Sequence, residues 1–328
     1  MSTLRTIAII IGVLGLFTMV ECAAAKDTGR IFVSNEKSNT VTVLDGRSYA
    51  AVATIKTGRR PRDIKLNSDK TRLYVACGDD NRIDVIDVDK LAVIDSIRDI
   101  DDPEVFDIGP GDRQLFVSNE DDGKLSIIDL KTKKIVKSVK VGQEPEGVTV
   151  SPDGATVFVA SEAASLVHVI DVASGAIKAN IPVGSRPRRF AQSADGKEVW
   201  VSAEVDGSVY VIDATSYKVT TRIEFQPKGF RRDAIRPVGL KLTRDGATAF
   251  VTLGHANRIA VVDARSKEVR DYILVGSRPW DVALSRDESR LFVTNGASDD
   301  ITIIDTRAGR VIRSVPVGRT PHSVAIDD

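Results

Sequence analysis

The sequence is poor in cysteine, histidine and aromatic residues, and it has no excess of either charge. It holds two cysteines, and Cys22 lies in an N-terminal segment that we expect to be removed. Cys77 would then remain alone, which excludes an internal disulfide. The lack of a Cys-x-x-Cys-His segment excludes covalent haem attachment. Basic and acidic side chains number 46 each, so the whole chain has no general attraction for nucleic acid or anionic lipid.

Motifs of common enzymes are absent as well. The sequence contains no P-loop, no zinc signature and no Gly-x-Ser-x-Gly elbow. Aromatic residues make up only 5% of the chain, whereas valine, isoleucine and leucine are plentiful. This composition favours strands that pack face to face over a large aromatic active site. We therefore expect a protein that acts by binding and has no catalytic set of its own.

The first 25 residues read as a secretory signal peptide. Arg5 gives a positive start, residues 7–20 are apolar, and residues 23–25 are alanines that suit a cleavage site. A retained membrane anchor would need about 20 apolar residues, and the apolar run at residues 7–20 is shorter than that. A lipoprotein signal at Cys22 is disfavoured by the charged Glu21 before it. The sequence thus predicts export to the periplasm, no membrane attachment after cleavage, and one mature domain over residues 26–328.

Two kinds of residue recur along the mature chain with the same spacing. Each series advances in steps of 42 residues with a single step of 50. The prolines are Pro61, Pro103, Pro145, Pro187, Pro237, Pro279 and Pro321, and the aspartates that close apolar runs are Asp45, Asp87, Asp129, Asp171, Asp213, Asp263 and Asp305. Two series that agree at this length indicate repeated structural units.

Each repeat is predicted to contain four strands. In residues 145–187, the turn sequence SPDG at 151–154 separates two short β-branched runs, which is typical of a hairpin. The runs LVHVID at 166–171 and AIKANIPVG at 176–184 supply two further strands. Antiparallel units of four strands and about 40 residues match a propeller blade. A sustained helical period is absent, so helical repeats are excluded.

The chain ends predict how the ring closes. RIFVSN at 30–35 is a second strand without its first, and PHSVAIDD at 321–328 is a first strand without the rest. The C-terminal strand is therefore expected to complete the first blade and leave no free edge. The fold prediction is an all-β, seven-bladed propeller of four-stranded antiparallel blades. Blade 2 begins at Pro61, blade 7 begins at Pro279, and Pro321 opens the strand that completes blade 1.

The second strands carry a family resemblance. They read IFVSN, LYVAC, LFVSN, VFVAS, VWVSA, AFVTL and LFVTN. In this feature the chain resembles the YVTN family of β-propellers. Its seven repeats, its export signal and the segment RPRRFAQSADG at 186–196 resemble the propeller proteins associated with PQQ-dependent alcohol catabolism. The resemblance implies an accessory binding protein of quinoprotein oxidation, with PQQ as a possible ligand and a PQQ-dependent dehydrogenase or c-type cytochrome as a partner.

The side chains that flank the prolines are predicted to ring one end of the central channel, a usual binding place in propellers. They are acidic on blades 3 and 4 and basic on blades 5 to 7. The residues predicted to bind a small anionic ligand are Arg62, Arg186, Arg188, Arg189, Arg231, Arg232, Arg278, Trp280 and His322. Arginine can bind carboxylates through two N–H groups, and Trp280 offers a face on which a planar anion such as PQQ could stack. Alternatively, the arginines that precede four of the prolines, Arg60, Arg186, Arg236 and Arg278, only tie their loops to neighbouring carboxylates.

Other functions stay open at this point. A lactonase-like hydrolase would bring Glu104, Glu146 and Asp281 together with Asn119 or Asn295 around a metal ion. A tetrapyrrole-binding propeller would use His255 or His322 as an axial ligand. Single-stranded nucleic acid could use the same arginines, but aromatic residues for base stacking are scarce there.

The remaining polar residues of note are predicted to be structural. His168 lies in the middle of a strand at a position that varies among the repeats. Cys77 has no histidine near it in the sequence that would activate a thiolate, so a buried thiol is expected. The repeated aspartates are expected to form turns.

Overall fold

The structure is a computed structural model that describes residues 27–328, so the predicted signal peptide lies outside the described residues. Strands make up nearly all of its regular structure. In blades 1 to 4 they are β1 (Arg30–Asn35), β2 (Thr40–Asp45), β3 (Ala51–Lys56), β4 (Pro61–Leu66), β5 (Arg72–Cys77), β6 (Arg82–Asp87), β7 (Ala92–Arg98), β8 (Pro103–Ile108), β9 (Gln114–Asn119), β10 (Lys124–Asp129), β11 (Lys134–Lys140), β12 (Pro145–Val150), β13 (Thr156–Ser161), β14 (Leu166–Asp171) and β15 (Ile177–Pro182).

The remaining blades follow the same pattern. Their strands are β16 (Pro187–Gln192), β17 (Glu198–Ala203), β18 (Ser208–Asp213), β19 (Lys218–Glu224), β20 (Pro237–Leu242), β21 (Thr248–Leu253), β22 (Arg258–Asp263), β23 (Val269–Leu274), β24 (Pro279–Leu284), β25 (Arg290–Asn295), β26 (Asp300–Asp305), β27 (Arg310–Pro316) and β28 (Pro321–Asp327). Three short 3-10 helices lie at Gly78–Asp80, Pro110–Asp112 and Arg232–Ala234. No helix within residues 27–328 is long and apolar enough to cross a membrane.

The strands form seven four-stranded antiparallel sheets, so the predicted seven-bladed propeller is confirmed. Every predicted proline begins an innermost strand, and every predicted aspartate ends a third strand. The C-terminal strand β28 pairs with β1, with Val324 opposite Val33 and Ile326 opposite Ile31. The first blade is therefore completed by both ends of the described chain, which protects an edge that would otherwise be free.

The apolar cores lie between blades. Seven clusters of buried side chains each unite two adjacent blades, and every second strand contributes an aromatic side chain to one of them or to its margin. Trp200 is fully buried in the cluster between blades 5 and 6. Because both faces of a blade are packed in this way, the sheets need little support from the channel. The innermost strands can then carry polar side chains.

Turn chemistry repeats with the strands. The Asp171 carboxylate accepts hydrogen bonds from the Ser174 backbone N–H at 2.9 Å and from its hydroxyl at 2.7 Å. Together these hydrogen bonds lower the pKa of Asp171 to about 2, and the bond from the backbone N–H contributes most. In the hairpin of the same blade, Gly154 adopts a φ of 73°. Glycine suits this position because left-handed backbone disfavours other residues.

A bulge lies where each innermost strand begins. In blade 2, Pro61 pairs with Cys77 but Ile64 pairs with Val75, so the inner strand has one extra residue there. The same shift occurs in the other blades. Bulges re-aim side chains. The first residue after the proline, such as Arg62, Glu146 or Arg188, lies at the channel end that we call the mouth, where the links between blades lie, and the second, such as Asp63 or Asp281, lines the deeper channel.

Candidate functional site

The mouth is built from the seven links that connect one blade to the next. The residue before each proline has a left-handed backbone, with φ between 36° and 61°; these residues are Arg60, Asp102, Glu144, Arg186, Arg236, Arg278 and Thr320. Its carbonyl accepts a hydrogen bond from the backbone N–H of the residue that directly follows the second strand of the same blade. We call this second residue the latch residue. In blade 5, for example, Glu204 N donates to Arg186 O at 2.8 Å.

The latch position brings acidic side chains to the mouth that sequence reasoning missed. The latch residues are Glu36, Gly78, Glu120, Glu162, Glu204, Gly254 and Gly296. Four of the seven are glutamates. A local signal was present, since glutamate directly follows the second-strand motif in IFVSNE, LFVSNE, VFVASE and VWVSAE. Each latch glutamate lies beside a link, and therefore beside the arginines that flank the prolines.

Arg188 is enclosed by these carboxylates. Its side chain is 3% exposed, it forms an ion pair with Glu162, and it lies 3.1 Å from Glu146 and 3.7 Å from Glu204. The guanidinium also lies 5.0 Å from the centre of the Trp280 ring. Burial alone would lower the pKa of Arg188, but the three carboxylates raise it above its ordinary value. Arg188 is thus a buried cation whose charge is balanced within the protein.

Arg62 is held in the same manner from the opposite side of the mouth. Its Nε lies 2.7 Å from Glu104, and its Nη2 lies 3.3 Å from Glu146. Glu146 therefore bridges Arg62 and Arg188, which come from blades 2 and 5. Burial raises the pKa of Glu146, but Arg188 and Arg62 outweigh it and bring the pKa below the ordinary value. These residues form a closed network across the channel.

Arg189, His322 and Trp280 meet just inside this network. Trp280 Nε1 donates a hydrogen bond to His322 Nε2 at 2.7 Å, and Arg189 Nη2 lies 3.5 Å from the same nitrogen. Arg189 also lies 3.8 Å from Asp63. Burial holds the pKa of His322 well below its ordinary value, and the neighbouring arginines lower it further. His322 is therefore a neutral acceptor whose Nε2 is already used by Trp280.

The other predicted ligand residues lie on an exposed basic sector of blades 5 to 7. The side chains of Arg186, Arg231 and Arg232 are 47%, 90% and 59% exposed. Arg186 lies 2.6 Å from Glu162, whereas Arg278 has no ion pair with any residue of the described chain. The Arg278 guanidinium lies 4.8 Å from the centre of the Trp280 ring. The structure thus gathers Arg62, Arg188, Arg189, Trp280 and His322 inside the mouth and leaves these four arginines outside it.

An acidic rim covers the mouth face of blades 3 and 4. We define it as Asp99, Asp101, Asp121, Asp122 and Glu144, all of which are exposed. Of these five, Asp122 has an ion-pair partner, Lys124 Nζ at 2.7 Å. The mouth face is therefore dipolar, with an acidic rim on one side and the basic sector on the other.

Three carboxylates beneath the rim are close enough to hold a cation. Ligand oxygens of Asp102, Glu104 and Glu120 lie within 4.8 Å of one another. The Arg60 guanidinium lies among them, 3.0 Å from Asp102 and 3.3 Å from Glu120, and it also pairs with Glu104. Arg60 thereby occupies the space between these acids and supplies one positive charge, and Arg62 supplies a second one to Glu104. Arg60 and Arg186 therefore tie their links to neighbouring carboxylates, as one of the two interpretations of the sequence predicted for the arginines before the prolines.

The set proposed for a lactonase does not gather at one point. Glu104 and Glu146 both face Arg62, but Asp281 lies one residue further along its strand, beside the deeper channel. The Asn295 amide donates to Asp300 and Thr302 within its own blade. Asn119 is used similarly, since it donates to the Asp101 carbonyl and accepts from Ser126.

The remaining histidines and the cysteine differ in exposure. His255 is exposed on a loop of the mouth face, as predicted. His168 is buried and accepts a hydrogen bond from the Gly142 N–H at 3.0 Å, and its other ring nitrogen lies 2.6 Å from Asn180 Oδ1. Cys77 is fully buried, and burial raises the pKa of its thiol. His168 and Cys77 are therefore structural residues in the interior of their blades.

The fold and the mouth define a seven-bladed propeller whose channel end carries a charged, largely self-paired site. Comparison by family model places the chain more narrowly: it belongs to the YNCE-like β-propeller family, whose model matches residues 15–328. No curated protein matches the chain. The propeller part of the family expectation is thus confirmed, and the finer association with PQQ-dependent alcohol catabolism remains a prediction.

Solved structures share the fold at low sequence identity. Hydrazine synthase of Kuenenia stuttgartiensis is 21% identical with a TM-score of 0.77, and the alignment covers 89% of this chain and 98% of that one. The periplasmic gluconolactonase of Pseudomonas aeruginosa is 21% identical with a TM-score of 0.76, covering 92% and 99%. Dihydro-heme d1 dehydrogenase NirN, solved in complex with DHE, is 17% identical with a TM-score of 0.69, covering 91% and 75%. Similarity at such low sequence identity shows a shared fold and nothing more.

Proposed function

We propose that this chain is an exported accessory protein of PQQ-dependent alcohol oxidation and that it binds a partner protein on its mouth face. The resemblance to the alcohol-catabolism propellers suggests the partner, a quinoprotein dehydrogenase or its c-type cytochrome. The acidic rim is the observation that carries the proposal, because it gives the mouth face a definite charge to present to another protein.

The pairing of the inner arginines supports a protein partner over a buried small ligand. Arg62 and Arg188 are both enclosed by carboxylates, so an anion would have to displace Glu146 or Glu162 to reach them. The rim carboxylates, in contrast, are exposed and mostly unpaired. Long-range attraction between unpaired surface charges accelerates association and weakens with salt. A partner with a basic docking surface therefore fits this face.

The test measures binding kinetics with charges removed from the rim. Purified dehydrogenase and cytochrome from the source organism would be passed over the immobilised mature protein at low and physiological salt. For the D99N/D121N/E144Q variant we expect an association rate at least about tenfold lower at low salt. The control E268Q/D271N removes two exposed acids from the outer edge of blade 6, away from the rim, and should leave the rate unchanged. Absence of binding by either partner, or equal rates for the two variants, would contradict the proposal.

A second candidate, a small planar anion such as PQQ, is favoured by one observation on the basic sector. Within residues 27–328, Arg278 is exposed and has no ion pair, and its guanidinium lies 4.8 Å from the centre of the Trp280 ring. The planar ring of PQQ could take the place of that guanidinium on Trp280, and the guanidinium could pair with one of the PQQ carboxylates. Calorimetric titration of PQQ into the wild type, R278A and R265A tests this, because Arg265 is an exposed arginine away from the mouth. Saturable binding lost only in R278A would support it, and no heat in the wild type would refute it.

A further inference from the structure

The deeper channel contains a cavity of about 630 Å³ toward the end opposite the mouth. The fourth residue after each proline lines it in every blade: Lys65, Asp107, Thr149, Ala191, Lys241, Ala283 and Ala325. Asp63, Arg189, Gln192 and Asp281 also line it, and aliphatic residues of the same strands together with Phe190 form much of the remaining wall. The volume lies in the range of small-molecule sites.

Most of the charges in this cavity are already paired. Lys65 Nζ donates to Asp107 at 2.9 Å, and the second oxygen of Asp107 accepts from the Val150 N–H at 2.9 Å. Asp63 accepts from the Phe106 N–H at 3.1 Å and lies 3.8 Å from Arg189. These contacts fix both aspartates to the channel wall and leave them little capacity to serve another cation.

Lys241 is the exception. Within residues 27–328 its ammonium group has no hydrogen bond and no ion pair, although the side chain is exposed to the space inside the channel. Its neighbours in the ring are Ala191 and Ala283, which leave room beside it. Burial among the surrounding strands lowers the pKa of Lys241, and repulsion by Lys65 lowers it further. Burial also raises the pKa of Asp281 on the neighbouring blade 7, which weakens that residue as a counter-charge.

We propose that Lys241 binds the carboxylate of a small organic acid whose apolar body lies against the alanines and aliphatic residues of the cavity. One unpaired cation matches one negative charge. A dianion such as phosphate would need more donors than Lys241 provides, and Asp63, Asp107 and Asp281 would repel it. Ala191 and Ala283, on either side of Lys241 in the ring, favour an acid with a compact hydrocarbon body at that point of the wall.

Benzoate is a suitable probe because it joins one carboxylate to a compact apolar ring. Saturation-transfer NMR on the purified protein should give saturable benzoate binding with a dissociation constant on the order of 1 mM. The neutral isostere benzyl alcohol and inorganic phosphate should bind at least about tenfold more weakly. Equal binding of benzyl alcohol would overturn the role of the charge, and tighter binding of phosphate would overturn the class of ligand.

Variants of the lysine complete the test. K241M should weaken benzoate binding at least about tenfold, whereas K241R, which keeps the charge, should stay within about threefold of the wild type. K197M is the matched control, because the Lys197 side chain is 77% exposed on the outside of blade 5. Thermal melting must show that K241M is folded, and K241R supports the same conclusion independently of that check. No benzoate signal in the wild type, or undiminished binding in K241M, would overturn the proposal.

Discussion

Replacement of Arg188 by methionine removes the cation that Glu146, Glu162 and Glu204 share. The methionine fills part of the volume, but the carboxylates keep their burial and lose a common partner. Removal of one partner from a buried ion pair costs about 3–5 kcal/mol, because the remaining charge is left uncompensated. Glu146 retains Arg62 and Glu162 retains Arg186, which limits the loss. We therefore expect R188M to lower the free energy of unfolding by about 3 kcal/mol at pH 7.5.

The pH dependence of this loss identifies its cause. Without Arg188, burial raises the carboxylate pKa values in the folded variant above those of the unfolded chain. The folded variant then binds protons first as the pH falls, so its deficit relative to the wild type should shrink between pH 7.5 and pH 5. Addition of E162Q to R188M should recover about 1 kcal/mol, because Glu162 and Glu204 would otherwise share Arg186 alone and E162Q removes one of these two charges.

Denaturant titration followed by far-UV circular dichroism measures these differences, with R265M as the control for loss of an exposed arginine. R265M should change the free energy of unfolding by no more than about 0.5 kcal/mol. If R188M is as stable as R265M, or if its loss of stability is independent of pH, then Arg188 does not compensate buried carboxylates. The carboxylates of the mouth would in that case be exposed to solvent.

Three further predictions concern other parts of the propeller. The pKa of His322 lies well below 6.5 in the folded state, so the unfolded chain binds a proton first and stability falls as the pH drops below 6.5. Relative to H322Q, urea titrations of the wild type should show a loss of about 1 kcal/mol in the free energy of unfolding between pH 6 and pH 5. Parallel pH curves for the two proteins would contradict this prediction. Burial raises the pKa of the Cys77 thiol, so 5,5′-dithiobis(2-nitrobenzoate) should label the mature protein only after denaturation, and rapid labelling of the native protein would show that the thiol is accessible. Deletion of residues 321–328 removes β28 and frees the edge of β1, so size-exclusion chromatography should show aggregation, and a monomer that unfolds cooperatively would refute the closure argument.

The fold could be predicted from the sequence because its signals are local. The turn that Asp171 forms with Ser174 and the hairpin at Gly154 each lie within a few residues, and they recur at one spacing. Ring closure needed one non-local step, the pairing of residues 30–35 with the C-terminal strand. That step also followed from the repeat, since each end lacked the strand that the other supplied.

The partners of the mouth arginines could not be predicted, although the residue types were recognised. Glu146 lies between Arg62 and Arg188, which come from blades 2 and 5. The spacing of the repeat assigns a residue to a blade but does not tell how far a long side chain reaches across the channel. The bulge after each proline also interrupts the alternation of side chains, so strand alternation alone misplaces the residues that follow it. The arginines inside the mouth, which appear unpaired in the sequence, are therefore neutralised in the structure.

The charge distribution separates the two ends of the channel in their chemistry. At the mouth, buried arginines and glutamates balance one another in charge, and the exposed acids of blades 3 and 4 repel small anions from that side. Toward the far end, Lys241 lies between two alanines and has no partner among residues 27–328. A small acid would therefore reach Lys241 most readily from the far end, and a protein docked on the acidic rim would not block that path. Binding of a protein at the rim and binding of an acid at Lys241 are therefore expected to be independent of each other.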